Sequence, residues 1–142
     1  MTFEEKRAWV LGLLAVVTYA IYVTVIVRRA DGMPLAEVPY VSTMLWAIGG
    51  SIIASIVLAI LIGIVSPRDV DKKDQRDKEI YRFGEYTGQS LVIAGAIAAL
   101  VMAMAELAHF WIANVIYLAF VLSAVLGSIV KIVAYRRGLP SW

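Results

Sequence analysis

Three long apolar runs constrain this chain more than anything else in it. Residues 8–27 and 41–65 contain no charged side chain, and residues 87–135 are almost continuously apolar. A helix needs about 20 apolar residues to cross a hydrocarbon layer of roughly 30 Å. The third run has 49 residues. At about 1.5 Å per residue, one helix of that length would exceed twice the layer's thickness, so the run must fold back. Its only polar cluster near the midpoint is Glu106, His109 and Asn114, which places the turn near residues 106–110. The expected fold is an all-α integral membrane four-helix bundle, a single transmembrane domain over 1–142. Its spans are expected at about 8–27, 41–65, 87–107 and 110–131.

Composition agrees. The chain is 61% apolar and 17% charged, against about 45–50% and 25% in soluble domains. Glu4 and Glu5 stand where a cleaved secretion signal would be basic, and the run after them outlasts the roughly 7–15 apolar residues of such a signal. Residues 8–27 therefore read as a retained span.

With four spans, residues 1–7, 66–86 and 132–142 share a side. Eleven of the thirteen Lys and Arg residues lie there or at the adjoining end of the last span; the other two are Arg28 and Arg29. Basic residues are held on the cytoplasmic side. The expectation is a plasma (inner) membrane protein with both termini cytoplasmic.

The segment 66–86 reads as more than a tether. Ser66, Pro67 and Asp69 suit a helix start with a capping box. Asp69 with Lys73 and Asp74 with Lys78 are acid-then-base pairs at i,i+4, each contributing about 0.2–0.5 kcal/mol when exposed. A charged helical loop running into the third span is expected, with Gly84 a candidate kink. Its six basic and six acidic residues argue against a clamp for anionic lipid, which needs an unopposed basic cluster. A docking surface remains, with Asp74, Arg76, Asp77, Ile80 and Phe83 as candidate partner-binding residues.

Inside the spans, small residues recur at four-residue spacing. The second span has Ser51, Ser55, Ala59 and Gly63; the third has Gly95, Ala99 and Ala103, and beside them Ser90, Ala94 and Ala98. Such ridges let helices approach closely. They predict a tight contact between spans two and three, or between copies of the chain.

Chemistry is sparse. There is no cysteine and one histidine, so thiolate and multi-histidine sites within one chain are excluded. Glu106 and His109 form the E-x-x-H pair of di-iron bundles, but such sites need two pairs and two more carboxylates. The plainer reading is a polar turn in which His109 or Asn114 caps the fourth helix and Tyr117 joins the cluster. No chain of intramembrane acids and no broken half-helix pair is visible, which argues against an ion-coupled transporter. No nucleophile–base arrangement, phosphate loop or cofactor motif appears. A net charge of +2 spread over the flanks gives no ground for direct nucleic-acid binding.

Two stretches resemble a group of small prokaryotic multi-span membrane proteins. Asp74-Gln75-Arg76-Asp77-Lys78-Glu79-Ile80, with Gly84 after it, resembles their D-E-R-D-x-x-I segment, and Tyr135-Arg136-Arg137-Gly138 resembles their Y-R-R-G-F terminus. The resemblance implies an accessory or signalling role and no established activity. The leading expectation is a non-enzymatic membrane protein that binds itself or a cytoplasmic partner through residues 66–86. The alternative is a small permeation protein for a hydrophobic or weakly polar solute.

Overall fold

Four helices make up the computed structural model, which describes residues 3–65 and 75–138. They are α1 (Phe3–Arg29), α2 (Val41–Val65), α3 (Gln75–Met104) and α4 (His109–Arg137). Each is long and apolar enough to cross a membrane. Large apolar side chains point outward on all four, among them Ile21, Ile53, Ile97 and Phe120. In water that surface would drive association; against lipid tails it is matched.

The helix ends explain where the expected spans shift. α2 falls where its apolar run does. α3 begins at Gln75 because the charged stretch 75–86 is itself helical and continues unbroken through Gly84 into the apolar segment. The expected start at Ser66 and the pairs Asp69–Lys73 and Asp74–Lys78 lie outside the described residues. α4 runs on to Arg137 and stops at Gly138, whose φ of 86° suits a residue without Cβ. The turn before α4 occupies 105–108, slightly earlier than expected, with Glu106 at φ 59°. Neither His109 nor Asn114 caps α4: Ala108 is the N-cap and supplies no side-chain bond. Asn114 instead bonds back to the Phe110 carbonyl at 2.7 Å.

The helices pack as an open row. α3 lies on α4, α4 on α1, and α1 on α2. The tight contact expected between the second and third spans falls between α3 and α4. A four-residue turn joins those two, and short connections make antiparallel neighbours. Small residues close the seam. A Cβ added at Gly95 would stand 2.2 Å from the Ala119 Cβ, and one at Gly88 would stand 2.8 Å from the Ser123 carbonyl oxygen. Further along, Gly84 and Gly127 face one another, backbone against backbone. The partner ridge of Ala119, Ser123 and Gly127 on α4 runs at four-residue spacing. Of the predicted ridges, only Gly95 and Ala99 lie in the seam, while Ser90, Ala94, Ala98 and Ala103 face outward.

The buried apolar cluster sits at the end holding the α1–α2 and α3–α4 turns. Tyr22, Ile26, Val38, Phe110 and Tyr117 form it, with Met44 and Ala47 of α2 against it. Arg29 fastens the turn by donating to Thr43 Oγ1 at 2.6 Å and to the Pro39 carbonyl at 3.3 Å.

Candidate functional site

The end carrying the chain termini gathers most of the polar chemistry. The first turns of α3 bring Arg76, Asp77 and Ile80 against the last turns of α4. Tyr135 donates its hydroxyl to Asp77 Oδ1 at 2.6 Å, and the Asp77 side chain lies buried. Arg76 Nη2 donates to the carbonyls of Tyr135 at 3.0 Å and Ala134 at 3.4 Å. Those oxygens belong to the last helical turn, where carbonyls lack helical donors and the helix dipole favours a cation. Ile80 is fully buried, with 0% exposure.

The two stretches that carry the family resemblance therefore meet in space. Asp77 and Tyr135 are 58 residues apart in sequence, yet they form one latch between α3 and α4. Two further ties complete this end. Lys131 Nζ lies 2.7 Å from Glu85 Oε1 and 4.4 Å from the Tyr81 ring centroid. Arg136 Nε donates to Glu5 Oε1 at 3.1 Å and its guanidinium stands over Trp9. The Lys131–Glu85 pair is half open to solvent, which puts its worth at about 0–1 kcal/mol. The Lys131 stem contributes separately, because it lies over Gly84.

Among the candidate partner-binding residues, Arg76, Asp77 and Ile80 thus turn toward α4. Phe83 is half-buried, and Asp74 lies outside the described residues. Arg7, absent from the sequence candidates, stands near this end with its Nε buried and unbonded. The signal that was available for Arg7 and Lys131 was position: each lies just inside the end of an apolar run.

At the opposite end, Glu106 and His109 are exposed on either side of the α3–α4 turn. No group of three or more metal-ligating side chains occurs among the described residues. Asn114 belongs to a different cluster, accepting a 2.5 Å bond from the Tyr22 hydroxyl. Tyr117 stands edge-on to Tyr19 and Tyr22, with ring centroids 5.4 and 4.9 Å away. Tyr22 is the residue missed by reading the sequence: in an apolar run a tyrosine looks like a lipid-interface residue, yet it is only 2% exposed.

A groove of about 360 Å³ opens beside that cluster between α1, α2 and α4, lined by Thr18, Ile48, Ser51, Ile52 and Tyr117 among others. Compared with known protein families, with curated proteins and with solved structures, the chain matches none.

Proposed function

We propose that this protein is a non-enzymatic multi-pass protein of the plasma membrane, with both termini cytoplasmic, that acts by associating with a second copy of itself. The observation that carries the reading is the state of α2. Gly84, Gly88, Gly95 and Gly127 are all spent on backbone contacts, whereas Gly49 and Gly50 have nothing within 4 Å of an added Cβ. Beside them Trp46 is 80% exposed. Small residues in lipid gain their value from close helix approach, and no other described element of the chain covers this face. The likeness of Asp74–Ile80 and Tyr135–Gly138 to small prokaryotic multi-span proteins is part of the proposal, and gives it an accessory or signalling character.

The chain has no native cysteine, so single cysteines at Ser42, Trp46 and Ile53 can be oxidised in native membranes. Disulfide-linked dimers are expected there and not at Ile97 or Val101 on α3. Equal yields at both sets, or adducts only with a different polypeptide, overturn self-association. Reporter fusions at each terminus test the orientation, and a reporter active outside the cytoplasm overturns that part.

A second reading has its own observation, the groove between α1, α2 and α4. A permeation path for a weakly polar solute would use it. Replacing Ser51 by Trp should then abolish solute flux into vesicles holding the protein, and unchanged flux removes the reading.

A further inference from the structure

A polar pocket of about 100 Å³ lies between α1, α3 and α4 at the end carrying the termini, lined by Arg7, Tyr81, Glu85, Ser128, Lys131 and Tyr135 among others. Sites for drug-sized ligands run to roughly 300–1,000 Å³, so this one suits a group of a few heavy atoms. Its charged lining is two cations against one carboxylate. That carboxylate, Glu85, is already held by Lys131.

Arg7 makes the pocket unusual. Its Nε is buried and has no hydrogen-bond partner among the described residues. A buried donor without an acceptor costs about 1–3 kcal/mol, more when charged, and guanidinium groups match phosphate oxygens in their geometry. The pocket lacks an acceptor of that kind and carries the charge to hold one.

A second cavity of about 230 Å³ shares Glu85, Ser128 and Lys131 with the first, and continues over Leu11, Phe120 and Ala124. One slot thus has a cationic head and an apolar floor formed by the sides of α1, α3 and α4. Free phosphate would fill only the head. We infer that the slot binds one anionic phospholipid, its phosphate on Arg7 and Lys131 and the start of an acyl chain over Leu11 and Phe120. The charge balance of residues 66–86, which speaks against a surface clamp, does not bear on this pocket. Arg7 comes from α1 and Lys131 from α4. The inference takes its membrane setting from the function proposed above but does not depend on contact through α2.

Full-length protein in neutral detergent can be titrated with phosphatidylglycerol and bound lipid counted on the monomer by native mass spectrometry. Phosphatidylcholine with the same acyl chains and inorganic phosphate serve as the other two probes. Phosphatidylglycerol should bind as a single copy and bind more tightly than phosphatidylcholine, with millimolar phosphate failing to displace it. Arg7→Gln should weaken it roughly tenfold, the loss expected for one charge-assisted bond. Leu11→Trp, which fills the slot without altering charge, should weaken it too. Glu85→Gln should strengthen it, and Arg137→Gln, a change of exposed charge at the same end, should leave it within about twofold. An Arg7→Gln protein that binds as the parent does overturns the inference, as does an equal loss from Arg137→Gln. Displacement by inorganic phosphate overturns the lipid assignment. Binding lost only in variants that also lose their helical circular dichroism is overturned as a site effect by an unchanged affinity in Glu85→Gln. Absence of disulfide-linked dimers, by contrast, leaves these affinities as stated.

Discussion

The Tyr135 hydroxyl donates to the Asp77 carboxylate at 2.6 Å, joining the start of α3 to the end of α4 across 58 residues. Because the acceptor is buried and ionisable, losing the donor costs more than the bond's net worth. Tyr135→Phe should lower stability by about 1–3 kcal/mol, read as unfolding in mixed detergent micelles. Adding Asp77→Asn should cost less than the sum of the two single changes, because the residues share one interaction.

Gly95 and Ala119 set how closely α3 and α4 approach. Gly95→Ala improves helix propensity by about 1 kcal/mol, but its Cβ would meet that of Ala119 at 2.2 Å. The clash should win, giving a net loss of about 1–3 kcal/mol, and Ala119→Gly should recover part of it. Gly49→Ala meets open space and should leave the monomer as stable or up to about 1 kcal/mol more so.

Tyr22 separates a hydrogen bond from packing. Tyr22→Phe removes only the donor to Asn114, and hydrogen bonds between helices in lipid average about 0.6 kcal/mol with a maximum near 1.7. Tyr22→Ala removes the ring from the cluster with Tyr19 and Tyr117 and should cost about 3–5 kcal/mol. Comparable losses in the two variants would refute this division, with unfolding midpoints in detergent as the measurement.

Glu106 is the only non-glycine described residue with positive φ, at 59°. Side chains disfavour that region by roughly 1–2 kcal/mol, and Glu106 is exposed. Glu106→Gly should therefore raise stability by about 1 kcal/mol. A loss in thermal unfolding would instead show that its carboxylate contributes at the turn.

Helix number and rough extent were legible in the sequence because a chain in lipid must satisfy its backbone within each span. Length alone then forces 87–135 to double back. Which helices touch was less legible. Small residues lie on more than one face of α3, and Gly84 and Gly88 adjoin the charged stretch, so they read as loop residues rather than as part of a seam. The charged segment was correctly marked as structured, but charge on a helix does not say which way it faces. Asp77 and Ile80 turn inward because the end of α4 supplies a hydroxyl and an apolar wall. Tyr135 gave no sign of this, since its partner is remote in sequence. Arg7 was counted for topology, and one residue's contribution to a count hides its surroundings.

The fastening of α2 has a mechanical consequence. Arg29, Thr43, Met44 and Ala47 grip only the first turns of the helix, while Ile48, Ser51 and Ile52 already border an open groove. α2 is a cantilever, rooted at one end and free along the rest of its length. A span longer or shorter than the surrounding hydrocarbon adjusts by tilting, and here that tilt pivots about the Arg29–Thr43 clasp without disturbing the seam between α3 and α4. Bilayer thickness therefore sets the splay of α2, and with it the width of the groove beside Tyr117.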